Sequence, residues 1–334
     1  MKSREEMIVF CRKSLELPES VSLHFSPLEG RGSDRSFFRL KWNPKGSAIL
    51  VRYDPTRVEN TYYAEIATFL RDIDIPVPRL IRHDPAVRLL LMEDLGDKDL
   101  WSLRKTSWEK RRVLYQMTLR ILHRLHSFPE KDFPSGRVRL MGGFDPALYR
   151  WERDYFREHF IRDVCGIELE PSFERKLEVE LSALGERLSG ITRCLVHRDL
   201  QSQNVMIHDG KPFLIDFQGM RFGSPFYDLG SLLCDPYVKF ADREREELLS
   251  FYYGLSNGDL DRARFRDYFW EAAAQRLMQA LGAYGFLGLR KGLRSFLGHI
   301  PAGLHNLHLA TAQVASLPCL HELSLSCQRA IEQK

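Results

Sequence analysis

Residues Cys194 to Gly219, CLVHRDLQSQNVMIHDGKPFLIDFQG, combine short apolar runs with closely spaced acidic and amide side chains. The short apolar runs, separated by polar turns, predict a strand, an acidic loop and a hairpin that ends at Asp216. Asp199 lies five residues before Asn204, and Asp216 follows one hairpin later. Two carboxylates and one carboxamide on loops around a hairpin suit Mg²⁺, which prefers oxygen ligands, beside a phosphate. Asp199 is then available to act on a substrate hydroxyl.

The bulk composition is that of a globular chain with two lobes or domains. The chain has 334 residues, of which 44% are hydrophobic and 28% charged. The net charge of +4 comes from 49 basic and 45 acidic residues, without a dense Lys/Arg run. That balance argues against a nucleic-acid partner. The six cysteines are scattered and form no C-x-x-C pair, so reduced thiols are expected.

Targeting signals are not evident in the sequence. The N-terminal MKSREEMIVFCRKSLEL is too charged for a signal peptide. No apolar run approaches the ~20 residues that a membrane-spanning helix needs. We therefore expect a cytoplasmic protein with no membrane association, no nucleic-acid partner and no obligatory protein partner.

Residues 1–95 are predicted to form an N-terminal lobe, and residues 96–334 a larger, mainly helical lobe. The boundary is placed where an apolar strand gives way to the acidic Glu93-Asp-Leu-Gly-Asp97. In the first lobe, residues 58–73 are predicted to be helical. Strands are predicted at 21–25, 36–42, 47–53, 79–83 and 88–92. Helices of the second lobe are predicted at 106–127, 146–163, 170–188, 225–233, 241–254, 260–284, 302–316 and 319–332.

A glycine-containing segment lies between the first two predicted strands. Gly30 and Gly32, followed by Ser33, let the backbone turn tightly and bring N–H groups close to an anion. A glycine hairpin without a ligand explains the same pattern. Taken alone the pattern favours that hairpin, and the position between the first two strands of an N-terminal sheet is what supports the anion site.

Arg52 and Glu65 are the charged residues of the first lobe that call for partners. Arg52 ends an apolar strand, where it can clamp phosphate oxygens or lie in solvent. Glu65 is expected on the apolar stripe of helix 58–73, beside Tyr62 and Ile66. A carboxylate in such a stripe usually has a cationic partner, and Arg52 is the partner that we expect.

The acidic segment after the last strand offers backbone groups to a flat ring. An extended chain there presents the carbonyl of Glu93 and the N–H of Leu95, which together suit an adenine edge. The sequence alone also allows a strand end followed by a linker.

Two motifs in the central stretch resemble those of the protein-kinase-like fold. His197-Arg-Asp-Leu-Gln-Ser-Gln-Asn204 matches H-R-D-x-x-x-x-N, and Asp216-Phe-Gln-Gly resembles D-F-G. The order of glycine segment, basic strand end, helix glutamate, catalytic loop and metal aspartate is also shared. This resemblance implies an α+β, bilobal protein. It has a small N-terminal lobe with an antiparallel sheet and a larger, mainly helical C-terminal lobe.

Departures from protein kinases point to a narrower branch. About a hundred residues separate the acidic segment from His197, and no A-P-E segment follows Asp216. Both features resemble aminoglycoside phosphotransferases and choline kinases. Gly-Ser-Asp-Arg-Ser-Phe37, Met-Glu-Asp-Leu-Gly96 and Ile-Asp-Phe-Gln218 resemble bacterial N-acetylmuramate/N-acetylglucosamine anomeric kinases. The resemblance implies ATP, Mg²⁺ and a small-molecule hydroxyl acceptor, with an amino sugar as the expected acceptor.

The resemblance also implies roles for the residues at the reacting centre. Asp199 would orient or deprotonate the attacking hydroxyl, and Asn204 and Asp216 would hold Mg²⁺. Arg52, paired with Glu65, would stand where such kinases usually carry Lys.

Further residues are implied around this centre. Gly30, Gly32 and Ser33 would pass over the phosphates, and Arg39 could share the phosphate grip with Arg52. His197 and Arg198 are expected to be architectural. Asp228 is expected to tie the following helix to the catalytic loop. Asp235 and Arg276 are candidate substrate contacts, although packing or a surface role is the favoured interpretation of Arg276.

Other functions fit parts of this pattern. A kinase for another metabolite, including an aminoglycoside, shares the same motifs. An aminoglycoside is polycationic and favours an acidic cleft. The helix predicted at 146–163 carries both charges, so this alternative ranks below an amino sugar. An inactive nucleotide-binding scaffold is the alternative from a different class. The intact set of Asp199, Asn204 and Asp216 argues against that scaffold.

Overall fold

The computed structural model describes residues 4–28, 35–44, 46–256 and 260–333. The chain divides into two compact units, each built from three segments. The first unit consists of Met1–Lys98, Pro134–Met141 and Met206–Gly219. The second consists of Asp99–Phe133, Gly142–Val205 and Met220–Lys334. The predicted division into 1–95 and 96–334 is a single cut and contains neither return of the chain to the first unit.

A five-stranded antiparallel sheet forms the centre of the first unit, in the order β1-β2-β3-β5-β4. Its strands are β1 (Leu23–Leu28), β2 (Ser36–Trp42), β3 (Gly46–Arg52), β4 (Leu80–Asp84) and β5 (Leu89–Glu93). The inner strands β3 and β5 are buried over residues 48–51 and 89–92. Burial on both faces explains their unbroken apolar runs, because neither face meets water.

One face of this sheet is covered by α1 (Arg4–Leu15). Met7 and Cys11 of α1 are buried in one cluster with Leu50 and Leu91 from the inner strands. Leu50 and Leu91 alternate along β3 and β5 with residues of the opposite face, as the period of a strand requires. Burial in this core also raises the pKa of the Cys11 thiol to about 12.

The other side of the sheet meets α2 (Glu59–Asp72). The Tyr63 hydroxyl donates to Met92 Sδ at 3.2 Å, and the Tyr63 ring stacks on Phe217 with a centroid distance of 4.6 Å. The predicted apolar stripe includes Tyr62, but the structure buries Tyr63 instead. The predicted members Ile66 and Phe69 are buried, so the stripe is confirmed in part, with Tyr63 in place of Tyr62 at its start.

Helices make up most of the second unit. They are α3 (Trp108–His126), α4 (Pro146–Phe156), α5 (Pro171–Ser189), α6 (Pro225–Leu233), α7 (Asp242–Leu255), α8 (Arg262–Gly285), α9 (Ile300–Ala312) and α10 (Pro318–Glu332). The long helix α8 is buried along most of its length and packs against α4, α6 and α9. Between α5 and α6 the strands β6 (Cys194–Val196) and β9 (Arg221–Gly223) pair antiparallel.

A tight hairpin follows β6. Its strands β7 (Val205–His208) and β8 (Lys211–Leu214) pair with each other across Asp209 and Gly210. These two turn residues have φ angles of 49° and 73°. Two consecutive positive φ angles are typical of the hairpin turn whose twist matches the flanking strands, and Asp-Gly is a preferred sequence for it.

The expected architecture of an antiparallel sheet in the N-terminal part and a larger helical part is confirmed. Within the described ranges, none of the helices is both long and apolar enough to cross a membrane.

Helix α8 approaches the π-helical segment Arg157–Cys165 more closely than a side chain allows. A Cβ atom added at Gly285 would lie 2.0 Å from the carbonyl oxygen of His159. Backbone atoms in a close-packed interior cannot move aside as a flexible side chain can. We therefore expect Gly285→Ala to lower the free energy of unfolding by about 1–3 kcal/mol, measured by urea unfolding.

Gly254 provides a matched control, because it also lies in a helix and a Cβ atom there meets nothing within 4 Å. Gly254→Ala is expected to raise the free energy of unfolding by up to about 1 kcal/mol, since Ala is the better helix former. Equal responses of the two variants would show that the close approach at Gly285 has no energetic weight.

Candidate active site

Residues 197–204 connect β6 to β7 and form the loop that the sequence identifies as catalytic. Asp228, buried in α6, accepts hydrogen bonds from the backbone N–H groups of His197 at 2.7 Å and Arg198 at 2.8 Å. Arg198 has a φ of 77°, which is costly for a residue with a side chain. The carboxylate thus stabilises a loop conformation that the chain alone disfavours. It is the tie between helix and loop that the sequence predicts for Asp228.

Asp228 has a second partner that the sequence does not single out. His126, at the end of α3, lies 3.2 Å through Nε2 from Asp228 Oδ2. The His126 Nδ1 atom lies 2.7 Å from the Tyr252 hydroxyl of α7. These contacts span 102 and 126 residues of sequence, so no local motif marks His126.

Asp235 also stabilises the loop formed by residues 197–204. Its carboxylate is fully buried and accepts from the backbone N–H of Ser202 at 2.7 Å and of Tyr237 at 2.9 Å. Burial raises the pKa of Asp235 to about 6. The expected substrate contact at Asp235 is therefore replaced by a structural role, because the carboxylate has no exposed surface in this structure.

Asn204 is fixed within the loop. Its side-chain Nδ2 donates to the backbone carbonyl of Asp199 at 2.8 Å. The amide nitrogen is therefore used inside the loop, and the amide oxygen is the atom able to bind a hard cation. The loop thus brings two of the predicted site residues, Asp199 and Asn204, into direct contact.

Arg276, from the middle of α8, pairs with the side chain of Asp199. Its Nη2 lies 2.7 Å from Asp199 Oδ1, and its Nε donates to Ser231 Oγ at 3.2 Å. Its Nη1 also donates to Gln279 Oε1. The guanidinium is therefore fixed by three partners, and its direction toward Asp199 is set by the packing of α6 and α8.

The exposure of the two partners differs. The Arg276 side chain is 5% exposed, whereas the Asp199 side chain is 27% exposed. Burial alone would lower the pKa of Arg276, but the neighbouring Asp199 raises it above its ordinary value. Asp199 is therefore a carboxylate held by a permanent buried cation on one side and open to solvent on another. Arg276 is a candidate substrate contact for which packing or a surface role is the favoured interpretation of the sequence, and the structure buries it against the predicted base.

The first unit carries the other predicted metal ligand. Asp216 follows β8 with a φ of 64° and is bound by the guanidinium of Arg35. Gln218, in the position where D-F-G carries Gly, donates from Nε2 to Asp216 Oδ1 at 3.0 Å. The Asp216 side chain remains 30% exposed. Its carboxylate is oriented by both neighbours and still reaches solvent.

The predicted pair of Arg52 and Glu65 is wrong. Glu65 is bound by Arg139, whose Nη2 lies 2.6 Å from Oε1 and whose Nε lies 3.1 Å from Oε2. The hydrogen bond from Arg139 lowers the pKa of Glu65. Arg52 instead reaches Ser36 Oγ at 3.4 Å. A two-point guanidinium–carboxylate contact is the stronger arrangement, and sequence reasoning missed Arg139 because it lies 74 residues away.

The acidic segment after β5 binds a cation of its own. Arg39, expected to share the phosphate grip, lies 2.9 Å from Asp94 and 2.6 Å from Asp97. The Glu93 carboxylate accepts from the backbone N–H of Arg79 at 3.0 Å. The Leu95 carbonyl lies 3.2 Å from a ring nitrogen of His208. The backbone groups predicted for adenine therefore lie on a segment that is fixed by side chains.

The predicted phosphate-loop residues Gly30, Gly32 and Ser33 lie outside the described residues.

A helical unit built around an H-R-D loop, together with a sheet unit that carries the second carboxylate, defines the class of protein-kinase-like phosphotransferases. The chain belongs to the phosphotransferase enzyme family (APH), which it matches over residues 24–277. This match confirms the branch indicated by the motifs, and with it an enzyme that transfers a phosphoryl group from ATP to a hydroxyl.

Among curated proteins, the chain is similar to the N-acetylmuramate/N-acetylglucosamine kinase of Pseudomonas aeruginosa. The two are 24% identical over 316 residues, which cover 92% of this chain and 89% of that protein.

Solved structures with a similar fold include aminoglycoside phosphotransferase APH(2'')-Ib bound to ADP, with a TM-score of 0.61 and 16% identity. That match covers 91% of this chain and 98% of the other. The choline kinase LicA from Streptococcus pneumoniae matches with a TM-score of 0.60 and 16% identity, over 91% of this chain and 99% of the other. At these identities the structures establish the fold.

Proposed function

We propose that this chain is an ATP- and Mg²⁺-dependent kinase that phosphorylates the anomeric hydroxyl of an amino sugar. The observation that carries the proposal is the geometry of Asp199, a partly exposed carboxylate fixed by buried Arg276 on a loop that Asp228 and Asp235 hold. The similarity to an N-acetylmuramate/N-acetylglucosamine kinase over 92% of the chain supports the acceptor class.

Asp199 would act on the acceptor. Its carboxylate would accept a hydrogen bond from the anomeric hydroxyl and take the proton as the oxygen bonds to the terminal phosphorus of ATP, while the bond from that phosphorus to the bridging oxygen breaks and ADP leaves. Arg276 would keep the carboxylate pointed outward, because three partners fix its guanidinium in place. The base is thereby oriented before the acceptor binds, which lowers the entropic cost of reaching a reactive geometry.

The residues proposed for Mg²⁺ fit that ion chemically. Asp216 contributes a partly exposed carboxylate and Asn204 an amide oxygen, and hard cations prefer such oxygen ligands. When bound, Mg²⁺ supplies positive charge that neutralises phosphate oxygens. The protein's own part is to hold these oxygens in place, through Gln218 for Asp216 and through the loop carbonyl for Asn204.

The nucleotide would be held by the first unit. We assign Gly30, Gly32 and Ser33 to its phosphates, and the carbonyl of Glu93 and the N–H of Leu95 to adenine. These assignments rest on the motif order in the sequence.

A turnover screen tests the acceptor class. Release of ADP from Mg-ATP would be measured with N-acetylmuramate, N-acetylglucosamine, an aminoglycoside and choline at equal concentration. We expect kcat/KM for the two amino sugars to exceed that for the other acceptors by at least about a hundredfold, because sites that hydrogen-bond a polar acceptor reject compounds that leave those groups unpaired.

Greater kcat/KM with an aminoglycoside or with choline would assign this chain to another small-molecule kinase. ADP release with none of the acceptors, from protein that binds ATP, would favour the inactive scaffold.

A further inference from the structure

Arg35 is bound to the carboxylate that the proposed function assigns to the metal. Its Nη2 contacts Asp216 Oδ1, and its Nη1 donates to Gln218 Oε1 at 3.0 Å. Gln218 in turn donates to Asp216 Oδ1 at 3.0 Å. The three side chains form a closed set in which each contacts both of the others.

The guanidinium of Arg35 is largely buried and has close neighbours. The Arg35 side chain is 11% exposed and its guanidinium lies 5.4 Å from the ring centroid of Phe37. Arg35 also lines a small cavity with Tyr63 and Met92 between the sheet and α2. A cation with so little solvent depends on an anionic partner, and Asp216 provides one.

Two other arginines were predicted to bind phosphate, and both have partners other than Asp216. Arg52 reaches the neutral Ser36 hydroxyl at 3.4 Å, and Arg39 is bound by Asp94 and Asp97. Arg35 differs from both because it contacts the proposed metal ligand itself. It also comes two residues after Ser33, at the end of the segment proposed to pass over the phosphates.

We infer that Arg35 is the cation that binds the nucleotide phosphates, and that it competes with a divalent metal ion for Asp216 until phosphate is present. The inference rests on the proposed function, because it takes Asp216 as a metal ligand. Two cations at one carboxylate repel each other, so a metal ion alone must displace Arg35. Phosphate oxygens offer the displaced guanidinium a bidentate partner. Metal and nucleotide are therefore bound together, and the metal alone is bound weakly.

Binding measurements on Arg35→Ala test this inference without measuring turnover. Mn²⁺ alone would be titrated into the full chain and free Mn²⁺ followed by electron paramagnetic resonance. Mg-ATP binding would be measured by calorimetry. Relative to wild type, we expect Arg35→Ala to bind Mn²⁺ about tenfold more tightly and Mg-ATP about tenfold more weakly, the loss of one charge-assisted contact in each direction. Changes of opposite sign separate this role from general damage to the fold.

Two further variants control for charge and geometry. Arg82 lies exposed in β4, and Arg82→Ala is expected to leave both affinities at the wild-type values. Arg35→Lys keeps the charge without the forked geometry, so it should exclude Mn²⁺ as wild type does and bind Mg-ATP with intermediate affinity. Thermal unfolding of each variant establishes that the compared proteins are folded.

Asp216→Asn separates failure of the inference from failure of the proposed function. If Mn²⁺ binding requires Asp216 but Arg35→Ala fails to strengthen it, or fails to weaken Mg-ATP binding, the inference is overturned and the metal site stands. If Asp216→Asn leaves Mn²⁺ binding unchanged, Asp216 is not the metal ligand. The inference about Arg35 and the metal site of the proposed function are then both overturned.

Discussion

Asp199→Asn is expected to lower kcat by about a thousandfold while changing the affinity for Mg-ATP by less than about twofold. Asn has nearly the shape of Asp, and its amide oxygen can still accept from Arg276, which donates to Asp199 at 2.7 Å. The loop bonds that Asp228 and Asp235 make to backbone N–H groups do not involve the Asp199 side chain. The variant therefore removes the proton acceptor and leaves its support intact.

Steady-state ADP release and calorimetric titration with Mg-ATP measure the two quantities. Turnover near the wild-type rate would remove Asp199 from the chemistry. A loss of nucleotide binding as large as the loss of kcat would mean that the substitution disturbs the loop, contrary to the support that the structure shows.

Arg276→Ala is expected to reduce kcat by about a hundredfold and the free energy of unfolding by about 2–3 kcal/mol. The loss in stability lies below that of a fully buried pair, because Asp199 is 27% exposed and regains solvent when the guanidinium is removed. The loss in rate arises because Asp199 loses the buried partner that fixes its direction. Arg276→Lys should recover part of kcat, since Lys retains the charge but cannot reach Asp199, Ser231 and Gln279 together.

A double-mutant cycle separates positioning from folding. If Arg276 acts on rate through Asp199, then Arg276→Ala adds almost no further loss of kcat in the Asp199→Asn background. A purely structural Arg276 would lower the folded fraction equally in both backgrounds and leave kcat per folded molecule unchanged. Independent, multiplicative losses of kcat would contradict the positioning role.

Local signals in the sequence predict much of the fold. The strand predicted at 36–42 is β2, and the helix predicted at 58–73 is α2 over Glu59–Asp72. Such elements are set by short-range periodicity and by turn residues such as Asp209-Gly210, which the chain itself carries. In the stripe of α2, Ile66 and Phe69 are buried as predicted, whereas Tyr63 is buried in place of Tyr62, because the two tyrosines are equally apolar and packing against Phe217 selects Tyr63.

Side-chain partners in the candidate site were harder to predict. The loop motif identified Asp199, Asn204 and Asp216, since their types and spacing are local. Arg276 reaches Asp199 across 77 residues of sequence, and Arg35 reaches Asp216 across 181. No spacing rule links such pairs, and several other arginines carry the same charge. The pairing depends on which helix faces and strand ends meet, and that is a property of tertiary packing.

Both returns of the chain to the first unit were also missed. The segment Pro134–Met141 carries Arg139, which takes the place expected for Arg52 at Glu65. It is short, and the structure forms neither a strand nor a helix there. The contact between Arg139 and Glu65 of α2 shows that this segment belongs with the first unit.

Proton-coupled phosphorus NMR of the product formed from Mg-ATP and N-acetylglucosamine would identify the hydroxyl that this protein phosphorylates. We expect stoichiometric ADP and a sugar phosphate whose phosphorus couples to the single anomeric proton, with no product from Asp199→Asn. Coupling to the two protons of a primary alcohol carbon, or release of inorganic phosphate alone, would contradict the proposed function.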